Sequence, residues 1–144
     1  MQGYSDELTF TAELTNLSRI RQFVGHAMQC AGCPVDAEAQ VKTAVDEACT
    51  NVILHGYRQS GGEITVHVDC SETGIEIRIE DTAPLYDPLT QSTRPDLHKP
   101  YEERPIGGLG VEMIRQSVDE ALHQPTQTGG NRLILRKFCS QQPA

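Results

Sequence analysis

The sequence predicts an α+β fold, a two-layer sandwich with a mostly antiparallel sheet and helices on one face. Three observations carry that expectation. Ile64, Val66 and Val68, then Ile75, Ile77 and Ile79, alternate in two adjacent runs joined by a short Glu72-Thr73-Gly74 turn, which is a hairpin pattern. Apolar residues recur at helical spacing in three other segments. The strand-like segments are linked by hairpins or lie far apart, without the regular strand–helix alternation of a parallel sheet.

Taken in order, Glu7 to Leu14 reads as a first strand with Leu8, Phe10, Ala12 and Leu14 on one face. Asn16 is expected to cap a helix in which Leu17, Ile20, Phe23, Val24, Ala27 and Met28 form the apolar stripe. That helix should end near Gly32, because Pro34 cannot continue it. Asp36 is expected to cap a second helix with Val41, Ala44, Val45, Ala48 and Val52 inward, ending near Gly56. Gly61 and Gly62 mark a turn into the hairpin. Thr82 to Arg104 is rich in Pro, Asp and Thr and has no periodicity, so it reads as a loop, with a lid at about residues 88–105. Gly107 to Gly110 open a third helix with Val111, Ile114, Val118 and Leu122 inward, and Gly129-Gly130 turn the chain into a strand from Arg132 to Phe138. No repeat or linker divides residues 1–144, which are read as one domain.

Composition narrows the function classes. The formal net charge of -8 argues against nonspecific binding to nucleic acid or to an anionic membrane. It leaves room for a nucleotide, whose phosphates backbone N–H groups and a metal ion can hold. No run approaches the length of a membrane helix, and the N-terminus lacks the pattern of a signal peptide. Five cysteines, an odd count, read as reduced thiols of a cytoplasmic protein. Cys30 and Cys33 form a lone C-x-x-C, read as structural or incidental thiols, with a redox or metal role the alternative; a zinc site would need two further ligands.

Three blocks carry chemistry. Glu47, Asn51 and His55 are spaced by four residues on the second helix, so a carboxylate, an amide and an imidazole share one stripe opposite the apolar one. Alone, that stripe reads more readily as a solvated helix face. Asp81 ends the second hairpin strand, within DTAPLYDP, where a fixed carboxylate accepts the exocyclic amine of adenine and repels the carbonyl of guanine. Alone, it is also a turn signal. In ERPIGGLGVEMI, glycines precede a helix whose free N–H groups and dipole suit a phosphate. The spacing matches neither the P-loop nor the dinucleotide fingerprint.

In this order, separated by a lid-like loop, the blocks resemble the ATPase superfamily of gyrase, the heat-shock chaperone, histidine kinases and the mismatch-repair protein, whose pocket is the Bergerat fold. Within it, AVDEACTNVILHGY, EERPIGGLG and GGNRLILRK resemble the anti-sigma-factor serine/threonine kinases, over about Leu8 to Lys137. The resemblance implies Glu47 as general base, Asn51 as the ligand of a Mg²⁺ that bridges the ATP phosphates, and Asp81 as the adenine reader. It implies Gly108, Leu109 and Gly110 as the phosphate-facing loop, and Asn131 near the adenine where many members have Thr. Ala83 stands where many members have Gly beside the base. His55 from the stripe and Arg104 from the lid complete the candidate nucleotide contacts, with a surface role for Arg104 equally open. The implied partners are a sigma factor and an anti-anti-sigma antagonist that receives the phosphate, with a homodimer possible as in relatives. Two other readings stay open: a nucleotide-gated binding module without kinase activity, and a histidine-kinase catalytic fragment. The second fits less well, because no helix pair with a phosphoacceptor His precedes the blocks.

Overall fold

The structure, a computed structural model, describes residues 3–85, Leu89 and residues 108–139, with the backbone alone at 108–110. Five strands form one sheet in the order β1-β2-β3-β5-β4: β1 (Tyr4–Thr11), β2 (Glu63–Cys70), β3 (Gly74–Asp81), β4 (Glu120–Pro125) and β5 (Asn131–Phe138). Every neighbouring pair is antiparallel. Helices α1 (Leu17–Cys30), α2 (Val35–Asn51) and α3 (Gly108–Ser117) complete the α+β sandwich.

The alternation in the strands decides which face is covered. Val66, Ile79 and Leu133 lie in one row across β2, β3 and β5, with Val68, Ile77 and Leu135 in the next. All six are buried, and with Ile20, Val24 and Met28 of α1, Val41 and Val45 of α2 and Ile114 of α3 they form the core. The other face carries ion pairs, Arg132 to Glu80 and Arg136 to Glu76 and Glu120, and the His67 ring lies 2.7 Å from Glu7 and 3.3 Å from Glu80. Each such pair on a solvated face contributes little, about 0–1 kcal/mol.

Several boundaries differ from expectation. β1 spans Tyr4–Thr11 instead of residues 7–14, because its partner β2 begins at Glu63, opposite Thr11. Leu14 enters a short 3-10 turn, and Leu8, on the helix side at the sheet edge, stays 47 % exposed. Asn16 stands at the cap position of α1 as expected but makes no side-chain cap; its amide donates instead to the Thr11 carbonyl at 2.9 Å and to Thr11 Oγ1 at 2.7 Å. Pro34 occupies the cap position of α2 and Asp36 lies within the first turn, where its charge suits the positive helix end. Leu122 is not on α3. The helix stops at Ser117, and Asp119 accepts from the Phe138 N–H at 2.7 Å and starts the turn into β4, which leaves Leu122 exposed on the open face.

The cysteines also depart from the reading of free thiols. Cys33, after α1, is joined by a disulfide to Cys139, after β5, with Cα atoms 4.9 Å apart. Cys30, Cys49 and Cys70 are free. No helix among the described residues is long and apolar enough to cross a membrane.

Candidate nucleotide site

The two central strands end side by side at Asp81 and Asn131. Both lie on the helix-covered face by register, and both are buried, Asp81 to 6 % exposure. A buried carboxylate needs partners. Asp81 Oδ1 accepts from the Ala83 N–H at 3.0 Å and from Asn131 Nδ2 at 2.9 Å. The same amide lies 3.3 Å from the Ala83 carbonyl and 3.2 Å from that of Pro84, so it ties strand end to following turn. Asn131 Oδ1 in turn meets His123 Nε2 of β4 at 3.0 Å. Gly130 makes the close approach possible, because a Cβ there would fall 2.0 Å from the Asp81 carbonyl oxygen. Burial pushes the Asp81 carboxyl above its ordinary range, against the pull of the Asn131 and Ala83 hydrogen bonds and of His123.

A pocket opens on this network, walled by Ala48 and Val52 from the second helical segment, Ile79 and Leu133 from the sheet, and Asp81, Asn131 and His123. Four apolar walls with one carboxylate acceptor suit a flat heterocycle bearing an amine. The space between the walls is about 20 Å³, room for about one water.

Glu47 and Asn51 approach from α2. The expected separation of polar and apolar stripes is not what the fold makes of them. α2 is packed against both α1 and α3, so Asn51 is 6 % exposed and the stripe runs along the seam. The Asn51 side chain forms no hydrogen bond among the described residues. Glu47 is half-buried, and burial followed by the neighbouring Asp46 charge lifts its carboxyl above the ordinary range. Beyond Asn51 the helix widens into a π turn, Val52–Gly56, closed by Tyr57 N–H to the Val52 carbonyl at 2.8 Å. The wider turn rotates His55 off the α-helical stripe; its Nε2 is buried without a partner among the described residues. A buried nitrogen in that state takes a water, an ion or a ligand as its partner.

Ala83 is buried and its methyl packs against Gly56, away from the pocket walls. Gly108, Leu109 and Gly110 form the first turn of α3. Arg104 and the expected lid at about 88–105 lie outside the described residues, apart from Leu89, whose carbonyl accepts from Arg115 at 2.7 Å.

Two participants were not singled out from the sequence. His123 sits in a strand with little apolar alternation to announce it. Tyr57 closes the first block, and its hydroxyl donates to the Glu63 carbonyl at 2.7 Å while accepting from the Thr82 N–H at 2.8 Å. It thereby fixes the residue after Asp81.

Sheet order, helix-covered face and strand-end carboxylate together define an α+β sandwich with a pocket at the ends of its central strands. Residues 10–137 match the family model of the histidine kinase-like ATPase domain, and the chain belongs to that family. It is similar to the serine-protein kinase RsbW of Bacillus cereus, 28 % identical over 139 residues that cover 94 % of this chain and 86 % of the relative. The RsbW of Bacillus mycoides is 27 % identical with the same coverage. The crystal structure of the RsbU and RsbW domains of Rv1364c from Mycobacterium tuberculosis shares the fold with a TM-score of 0.66 over 98 % of this chain, at 17 % identity. This chain spans 34 % of that one.

Proposed function

We propose that this protein is an ATP-dependent anti-sigma factor and serine/threonine protein kinase, which phosphorylates an anti-anti-sigma antagonist and sequesters a sigma factor. The observation that supports it best is the placing of Glu47 and Asn51, one helical turn apart, on the helix whose Ala48 and Val52 wall the Asp81 pocket. The residues fit Mg-ATP. Asp81 offers an acceptor to the exocyclic amine of adenine between apolar walls. The Asn51 amide oxygen, without a side-chain partner among the described residues, suits a hard cation. The first turn of α3, at Gly108 to Gly110, and the unpartnered His55 Nε2 suit phosphate oxygens.

Bound Mg²⁺ would neutralise charge on the phosphates. Glu47 orients the substrate hydroxyl and takes its proton while the hydroxyl oxygen bonds to the γ-phosphorus. The bond from γ-phosphorus to the bridging oxygen breaks, and ADP leaves. A carboxyl raised by burial is a better base than an exposed one, since its proton affinity is closer to that needed near neutral pH.

The test is transfer of labelled γ-phosphate to an antagonist protein captured from the native cell, beside nucleotide binding on the same preparations. Glu47→Ala should keep ATP and partner binding and lose transfer by about 10²–10⁴-fold. Asn51→Ala should lose nucleotide binding and all that depends on it. If the wild type transfers no phosphate to any captured partner, the chain is a nucleotide-gated binding module.

A further inference from the structure

The five cysteines are of two kinds. Cys49 and Cys70 are buried. Burial, then Asp46 and Asp81, pushes the Cys49 thiol up to about 12; burial, then Asp69 and Cys30, pushes Cys70 up to about 11. Neither is a useful nucleophile near neutral pH. The other three meet at the end of the sheet remote from Asp81. Cys139 follows β5, its N–H bonded to the Thr73 carbonyl at 2.8 Å beside the β2–β3 hairpin, and its sulfur is bonded to Cys33. Cys30, the last residue of α1, is a free and exposed thiol.

Cys30 and Cys33 sit in one folded turn. Cys33 N–H donates to the Met28 carbonyl and Gly32 N–H to that of Gln29, each at 3.0 Å, with Gly32 in the left-handed region at φ 73°. A four-residue turn holds its ends within about 7 Å, and a disulfide spans Cα separations of about 4.4–6.8 Å. One turn back along α1, His26 Nε2 lies 3.6 Å from Cys30 Sγ. The Tyr4 ring stands edge-on to that imidazole at 6.0 Å. Cys33 thus has one bonded partner, 106 residues away in sequence, and a second thiol three residues away, exposed and beside a base.

We propose that Cys30, Cys33 and Cys139 form a thiol–disulfide exchange site in which Cys30 displaces Cys139 from Cys33. The Cys30 thiol gives its proton to His26 Nε2. The resulting thiolate attacks Cys33 Sγ, the Cys30–Cys33 bond forms, and the Cys33–Cys139 bond breaks. Cys139 leaves as a thiolate and takes up a proton. The step is redox-neutral and runs in either direction. A dithiol reductant, supplying two electrons and two protons, then opens the exposed Cys30–Cys33 bond. The exchange uncouples the end of β5 from the α1–α2 connection and leaves the Asp81 pocket, at the opposite end of the strands, in place.

Trypsin puts Cys30 and Cys33 in one peptide, residues 22–42, and Cys139 in another, residues 138–144. The full chain is oxidised with oxidised glutathione, exposed to limiting dithiothreitol, quenched in acid, alkylated and digested. Mass spectrometry should first find the two peptides cross-linked. It should then find residues 22–42 closed by an internal disulfide with 138–144 alkylated, before both cysteines of 22–42 become alkylated. Cys30→Ser should keep the cross-link and open about tenfold more slowly at the same dithiol. Cys139→Ser, which does not depend on the long-range bond, should close 22–42 internally under oxidised glutathione alone. The proposal is overturned if the wild type forms no cross-link, if it opens directly to free thiols as fast as Cys30→Ser, or if Cys139→Ser stays reduced at Cys30 and Cys33.

Discussion

β3 and β5 run together from one end of the sheet to the other, about 23 Å at a normal strand rise, and their two ends are built differently. At the Asp81–Asn131 end, cohesion comes from buried polar groups: one amide serves a carboxylate and two carbonyls, and an imidazole serves the amide. At the Gly74–Phe138 end, a disulfide and a buried Cys70 hold the elements. Hydrogen bonds to a buried carboxylate can be exchanged for those of a ligand at little net cost; a disulfide gives way only to a thiolate. The fold is therefore most adjustable where it binds and most constrained where it does not.

Substitutions at the two ends should behave oppositely, and the largest effect on stability belongs to the covalent end. Cys139→Ser opens a loop of 106 residues and should destabilise the oxidised protein by about 4–5 kcal/mol in the chain-entropy account. Denaturant melts of the variant and of the wild type should converge once both are reduced, and ATP affinity should not change. A matching fall in ATP affinity would mean that the ends are mechanically coupled.

Asp81→Asn should do the reverse, weakening ATP binding by roughly 1.5–3 kcal/mol and removing the preference for ATP over GTP, as calorimetry would read. Its effect on folding follows from its raised carboxyl. The folded state holds that proton more tightly than the unfolded chain. Ionisation therefore lowers stability as pH rises through the unfolded value of 3.8, and the loss is complete above the higher folded value. Asp81→Asn should lose this descending limb and be no less stable than wild type at neutral pH. A variant markedly less stable at pH 7 would show that the charge, and not the ligand, is what the Asn131 network serves.

The smallest effect is expected at Tyr57. Tyr57→Phe leaves the ring buried but removes the acceptor of the Thr82 N–H and the donor to Glu63. It should cost about 0.5–1.5 kcal/mol of stability and reduce ATP affinity only through a looser Thr82. Unchanged amide exchange at Thr82 would separate Tyr57 from the ligand end altogether.

What the sequence made legible follows the range of the interactions. Helical stripes at Ile20–Met28 and Val41–Val52, and the Ile64–Val68 and Ile75–Ile79 alternations, are local periodic signals, and they carried the α+β sandwich. β4 was missed because EALHQP has an exposed pattern and ends in proline, so nothing in it alternates apolar with polar. Leu122 fell at helical spacing from Val118 by coincidence. In the site, Asp81 was readable as a strand end and Asn131 through resemblance to a family. Their pairing, and the part of His123, arise from the register of β3, β5 and β4, which no short window contains. The Cys33–Cys139 bond is hidden for the same reason: C-x-x-C invites pairing of neighbours, and only the fold brings the C-terminal end of β5 to the α1–α2 connection.

The π turn at Val52–Gly56 bears on how this sequence can change length. A π turn closes on the fifth residue and not the fourth, so it stores one residue more than an ordinary turn. Removing any one residue between Asn51 and Tyr57 would let the helix run on as α, and Tyr57 would leave it rotated by about 100°. Its hydroxyl would then miss both Glu63 and Thr82, and the left-handed step at Arg58 and Gln59, φ 52° and 60°, would start from the wrong direction. The hairpin at Ser71–Thr73 is held by Thr73, whose carbonyl accepts from the Cys139 N–H at 2.8 Å, and by the bond of the Ser71 N–H to the Gly74 carbonyl. Insertions and deletions are thus expected to accumulate in the hairpin and to be purged from the six residues after Asn51.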